Sequence, residues 1–309
     1  MSNMKNWNNA HRETLQHECE CGEELLTEEH KGYRRVASAP IGVFDSGAGG
    51  LTILTALREE LPHERFIYLG DTAHCPYGVR SDEEITQLTL DACRFLMQHE
   101  VKMIIIACNT ASQAALTTLR ATISELPFIG VVPAVKPAAR LTRKGRIGIA
   151  ATNQAAKALY LRQLIDEFAE GIEAFAVGCP DLVTLVEQGQ LDGPDVEETV
   201  RQALQPVLAE EIDVLVLGCT HFPALRHVIE RVVGPRVQVI DSGQAIARRA
   251  RSVLQTDNML APATLYNSEG GELELWSTGD PALFSPVATK ILGRPVSARQ
   301  AQAVIKGVL

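Results

Sequence analysis

Lys102-Met103-Ile104-Ile105-Ile106-Ala107-Cys108-Asn109-Thr110 is the stretch that decides how this chain folds. An unbroken apolar run rich in β-branched residues marks a strand buried on both faces, the usual state of a parallel strand covered by helices. The run ends in a thiol, an amide and a hydroxyl, and a helix is expected from residue 111. Asp213-Val214-Leu215-Val216-Leu217-Gly218-Cys219-Thr220-His221 repeats the arrangement. In open α/β sheets, ligands sit beyond the C-terminal ends of the strands. A thiol there, beside polar groups and a helix N-terminus, can fall below its free pKa of roughly 8.5 and act as base or nucleophile. Two such thiols in matching contexts predict one site with a thiol on each side.

Working outward, strands are expected at 41–44, 65–69, 102–107, 128–132, 146–150, 172–177, 213–218 and 237–240. Helices are expected from 51, over 82–99 behind a Ser81/Glu84 capping box, and over 111–124, 154–169, 181–188, 195–209, 222–233 and 243–255. This alternation predicts an α/β fold with mainly parallel sheets flanked by helices. Thr264–Ser268 and Glu272–Thr278 flank Glu269-Gly270-Gly271 and read as a hairpin, with a last helix over 281–292. The likeness of Ile104–Thr110 to Leu215–His221 points to two similar lobes. Residues 40–132 plus 242–309 would form the first and 133–241 the second, with the active site in the interlobe cleft. Residues 1–39 are dominated by Asn, Glu, His and Lys without apolar periodicity, and read as a disordered or loosely ordered extension. Its His17, Cys19, Cys21 and His30 lack the spacing of a zinc site and read as solvated chain.

Bulk properties narrow the function. The 309 residues leave room for about two domains. A net charge of −9 and a pI near 5.4 argue against nucleic acid or an anionic membrane surface as the main partner. No apolar stretch approaches the roughly 18 residues of a membrane span, and the polar start holds no secretory signal. Seven scattered cysteines do not form a disulfide framework, so the reducing cytoplasm is the expected location.

Several residues could carry chemistry. Asp45-Ser46-Gly47-Ala48-Gly49-Gly50 joins a strand to a helix by a turn able to aim N–H groups at an anion. It matches neither the phosphate-loop nor the dinucleotide pattern. Pro76-Tyr77-Gly78 could bring N–H groups and an aromatic wall to the cleft. Glu187 ends a short apolar helix, where the dipole disfavours an acid, which suggests another purpose. His221 could orient Cys219 or share a proton with it. Cys179 ranks third among the thiols, while Cys75 and Cys93 lack comparable surroundings and Cys93 reads as core.

Taken together, Phe44-Asp45-Ser46-Gly47-Ala48-Gly49-Gly50-Leu51, Gly70-Asp71-Thr72 with Cys75-Pro76-Tyr77-Gly78, Ala107-Cys108-Asn109-Thr110-Ala111-Ser112, Gly130-Val131-Val132-Pro133, Leu185-Val186-Glu187-Gln188-Gly189 and Gly218-Cys219-Thr220-His221-Phe222-Pro223 resemble bacterial glutamate racemases of the aspartate/glutamate racemase superfamily. The resemblance runs along about residues 40–293. It implies cofactor-independent interconversion of L- and D-glutamate, supplying D-glutamate for peptidoglycan. Cys108 and Cys219 would flank Cα as acid and base, with Asp45 assisting Cys108 and Glu187 and His221 assisting Cys219. Asp45, Ser46, Tyr77, Gly78, Asn109, Thr110, Thr220 and His221 would bind the substrate. No metal and no cofactor are implied; a homodimer is a possible assembly. The chain departs from the resemblance at Gln154-Ala155, where a Gly-Thr pair is expected, at Leu159, where a small hydroxyl residue is expected, and at His74 in place of Arg. Three rivals stay open: the same chemistry on aspartate or a hydantoin, a non-catalytic binding protein, and a thiol redox protein.

Overall fold

The computed structural model describes residues 33, 35–262 and 271–301. Their strands are β1 (Ile41–Asp45), β2 (Phe66–Gly70), β3 (Met103–Ile106), β4 (Phe128–Gly130), β5 (Arg146–Ala151), β6 (Glu173–Gly178), β7 (Val214–Leu217), β8 (Gln238–Ile240), β9 (Leu273–Ser277) and β10 (Ala298–Gln300). They form two sheets, β10-β9-β2-β1-β3-β4 and β6-β5-β7-β8. Every pairing in both is parallel. The connecting helices are α1 (Leu51–Glu60), α2 (Asp82–Gln98), α3 (Asn109–Thr122), α4 (Val135–Leu141), α5 (Asn153–Lys157), α6 (Leu159–Phe168), α7 (Pro180–Glu187), α8 (Pro194–Leu208), α9 (Arg226–Val233), α10 (Gly243–Thr256) and α11 (Pro281–Leu292). None of these is long and apolar enough to cross a membrane.

The quoted stretch behaves as its composition dictates. Met103, Ile104, Ile105 and Ile106 are fully buried beside the equally buried β1. Each such side chain contributes about 1.5–3 kcal/mol of hydrophobic stabilisation. Leu51, Ile53, Leu54 and Leu57 form the inward stripe of α1, and Ile246, Ala247, Ala250 and Leu254 that of α10, over one face of the first sheet. A separate core of Leu182, Val186, Val200, Leu204, Leu215 and Leu217 covers one face of the second.

The chain leaves the six-stranded sheet after Gly130 and returns after Ile240. The two crossings touch: Ser242 Oγ donates to Val132 O at 2.5 Å. The ends of β3 and β7 also meet: Asn109 Nδ2 donates to Gly218 O at 2.6 Å.

Local differences from the sequence reading have local causes. The 154–169 segment is two helices, because Ala158 is extended (ψ 141°) and caps α6. Residues 222–225 form a 3₁₀ turn before α9. The helix α4 is not among those expected; its Pro137 lies in the first turn, where the missing N–H leaves no bond unmade. The capping box is half formed: Glu84 N–H donates to Ser81 Oγ at 3.2 Å, while the Glu84 carboxylate pairs with Arg80. Thr264–Ser268 lies outside the described residues. The other arm of the expected hairpin is β9, which is paired in parallel on both edges, to β2 and to the unforeseen β10. Within the segment read as an extension, Arg35 donates to Lys102 O and Ala39 N–H to Val36 O. The earlier His17, Cys19, Cys21 and His30 lie outside the described residues.

Candidate active site

Cys108 follows β3 and caps α3, its Sγ accepting from Ala111 N–H at 3.5 Å. Cys219 follows β7 and Gly218 in the second sheet and starts the turn closed by Phe222 N–H onto its carbonyl. Both thiols are about 95% buried. Cys219 lies close enough for its charge to disfavour ionisation of Cys108. The two sheets thus contribute one buried thiol each, and the two lie near each other.

The glycine loop after β1 arranges the partners. Asp45, fully buried, accepts from Gly47 N–H at 2.9 Å and from Thr220 Oγ at 3.1 Å, the latter across the seam. Ser46 Oγ lies 3.5 Å from Cys108 Sγ. A Cβ on Gly47 would collide with the Glu187 carboxylate, and one on Gly49 with the His221 imidazole. The loop needs glycine because a second lobe is pressed against it. Glu187, misplaced for the dipole of α7, has its purpose here: its Oε1 accepts from Ala48 N–H at 2.7 Å and from His221 Nε2 at 2.6 Å. The other ring nitrogen, Nδ1, lies 3.6 Å from Cys219 Sγ. Carboxylate, imidazole and thiol form one chain.

Burial and charge set the protonation states. Burial, then the Asp45 charge, push the Cys108 thiol up to about 12. The expectation that a helix N-terminus would lower this thiol fails, because desolvation outweighs the Ala111 hydrogen bond. Burial also raises Asp45, with His221 acting against it. Burial disfavours charge on His221, yet Cys219, Cys75 and Glu187 together hold its pKa well above 6.5. Burial works against the Glu187 carboxylate as well, but His221 and Ala48 keep its pKa below the ordinary value. An imidazolium–carboxylate pair results.

The remaining residues named from sequence line the same seam. Asn109 Nδ2 donates to Gly218 O at 2.6 Å, leaving its Oδ1 buried without a partner. Thr110 Oγ lies 3.4 Å from Thr152 Oγ, and a Cβ on Gly78 would touch Thr152. The Tyr77 hydroxyl is committed to Asp71 at 2.6 Å, with its ring against Phe44. His74 Nδ1 reaches the other Asp71 oxygen at 2.8 Å. Among the departures, Ala155 is buried with its N–H on Thr152 Oγ, Gln154 reaches Asp82, and Leu159 is 68% exposed, away from the buried site.

Cys75 is the residue that sequence reasoning missed. Its Sγ lies within 4.8 Å of a Glu187 oxygen and a His221 ring nitrogen, and burial pushes the thiol up to about 11. No local pattern could reveal this, because Glu187 and His221 lie more than 100 residues further along the chain. Cys93 is core, as read. Cys179 is buried, its Sγ directed at the Val177 and Ala203 carbonyls rather than at the paired thiols.

Residues 51–250 match the Asp/Glu/hydantoin racemase family. A glutamate racemase of Deinococcus radiodurans is 44% identical over 248 residues, 80% of this chain and 84% of that protein. The chain belongs to the Asp/Glu/hydantoin racemase family. As a family member it is a racemase, an isomerase, and its two-lobed architecture is shared with solved relatives. The crystal structure of glutamate racemase isoform RacE1 from Bacillus anthracis superposes with a TM-score of 0.76 at 34% identity, covering 87% of this chain and 99% of that one. That of the Francisella tularensis glutamate racemase in complex with D-glutamate gives 0.74 at 30% identity, covering 87% and 99%.

Proposed function

We propose that this racemase interconverts L- and D-glutamate without an organic cofactor, Cys108 and Cys219 acting on opposite faces of Cα, and that its product is D-glutamate for peptidoglycan. The observation that carries the reading is the pair of buried thiols, one from each sheet, each with its own polar partners. Racemisation needs a base on one face and an acid on the other, and the two must exchange roles for the reverse reaction. Two identical side chains satisfy that symmetry.

In one direction Cys219 takes the α-proton, breaking C–H and forming S–H, with the His221–Glu187 pair beside it. Cys108, a thiol at neutral pH, delivers its own proton to the other face. In the reverse direction Cys108 must give up its proton first, and the buried Asp45 and the Ser46 hydroxyl are the groups that govern this step. The carbanion is not spread into a cofactor ring, so oriented donors in a water-poor cleft must stabilise it. Substrate recognition follows from what the seam leaves unsatisfied. Asn109 Oδ1, buried and unpartnered, suits the α-ammonium. The hydroxyls of Ser46, Thr110 and Thr220 and the loop around Tyr77 and Gly78 suit the carboxylates. The Francisella tularensis relative's complex with D-glutamate supports glutamate as the substrate.

The test is incubation in D₂O with each enantiomer of glutamate and of aspartate, followed by NMR and chiral chromatography. Deuterium should enter Cα of glutamate as the opposite enantiomer appears. Exchange confined to aspartate would move the assignment to that substrate, and no exchange at all would refute catalysis.

A further inference from the structure

The cluster around Cys75 has a chemistry that racemisation does not use. Cys75 Sγ, a Glu187 oxygen and a His221 ring nitrogen lie within 4.8 Å of one another. Thiolate, imidazole and carboxylate are the three ligand types that zinc-class cations take, at about 2.0–2.3 Å, which places tetrahedral ligands about 3.5 Å apart. Binding would require the Glu187–His221 pair, now 2.6 Å apart, to open around the ion. Gly47 packs directly against the trio: a Cβ there would overlap the Glu187 carboxylate and stand 3.0 Å from Cys75 Sγ. Access is available from the half-buried Cys75 and from Glu187, whose side chain is 23% exposed. Cys219 faces the opposite ring nitrogen, Nδ1, and would not share the ion.

We propose that Cys75, Glu187 and His221 bind a thiophilic divalent cation, and that the bound ion switches racemisation off. Binding forms bonds to Cys75 Sγ, His221 Nε2 and a Glu187 oxygen. It breaks the Cys75 S–H and the His221 Nε2–H bonds, and both protons leave to solvent. The His221–Glu187 hydrogen bond is replaced, so the partner pair behind Cys219 is lost while Cys219 itself stays free. The inhibitory consequence rests on the proposed racemisation; the binding does not.

The probe is Cd²⁺, titrated into the full chain carrying Cys19→Ser and Cys21→Ser, so that those two thiols contribute nothing. An ultraviolet thiolate-to-cadmium charge-transfer band should grow to one equivalent per chain and be displaced by Zn²⁺. It should vanish in Cys75→Ser, persist in Cys219→Ser, and need at least about tenfold more Cd²⁺ in Glu187→Gln. Zn²⁺ should inhibit racemisation reversibly on chelation, with the inhibitory concentration raised at least about tenfold in Cys75→Ser. No band in the parent, a band retained in Cys75→Ser, or a band lost in Cys219→Ser would overturn the site. A band with the expected pattern in a protein that does not racemise glutamate would keep the site and refute the activity.

Discussion

Cys108 and Cys219 hold equivalent places at the ends of β3 and β7, but their surroundings are not equivalent. Cys108 has a hydroxyl in contact and a buried carboxylate acting through its charge. Cys219 has an imidazole in contact, and a carboxylate behind the imidazole. The sheet geometry makes the pair symmetric enough for a reaction that runs both ways. The side chains around each thiol make it asymmetric, so that one arm rests protonated. On the proposed mechanism, that asymmetry is what lets two near-identical strand ends serve as acid and base.

The largest effect expected on this comparison comes from deleting either thiol. Cys108→Ala and Cys219→Ala should each lower racemisation by about 10³-fold or more, the scale of a lost acid–base group. Full activity in either variant would break the account of two arms. Next comes the Cys219 arm. His221→Asn and Glu187→Gln should each cost about 10–100-fold in kcat, and the double variant should cost little more than the worse single, because groups acting as a unit are not additive. Additive losses would mean that the two residues do not work as one chain. A smaller loss, about tenfold in kcat, is expected for Gly49→Ala, since its new methyl would press on the imidazole without removing any reacting group. An unchanged kcat would show that the glycine loop does not set the His221 position.

The pH dependence of stability sharpens the same contrast. His221 binds its proton more tightly folded than unfolded, so its contribution is fully present below 6.5 and is lost as pH rises through its raised folded pKa. Asp45 has the same sign in a lower window, since its raised pKa favours the neutral acid and stability falls as pH rises from 3.8. The urea midpoint should therefore decline as pH climbs above about 6.5, and His221→Asn should flatten that decline. An unaltered slope in the variant would remove His221 as its origin.

What was legible in the chain follows from the range of the forces involved. Strands such as 102–107 and 213–218 announce themselves because a buried parallel strand must be continuously apolar. Their thiols are visible for the same reason, as the first polar atoms past the core. The pairing of Glu187 with Ala48, or of Thr220 with Asp45, joins residues 139 and 175 positions apart, and no local pattern encodes it. The proposed roles of Asp45, Glu187 and His221 come from the resemblance, whereas the place of Cys75 beside Glu187 and His221 is set by the tertiary fold. The Cys108 pKa illustrates the limit most sharply. A helix N-terminus is readable from sequence and lowers a thiol, whereas burial is a property of the whole fold and here outweighs it.

The most direct measurement of the central claim is the position of deuterium early in the reaction. With one enantiomer of glutamate in D₂O, before a tenth of it has turned over, the product should carry deuterium at Cα while the recovered substrate keeps its proton, because one thiol removes hydrogen and the other delivers it. Product that retains the original proton, or substrate that exchanges faster than product forms, would contradict two opposed thiols acting on one carbon.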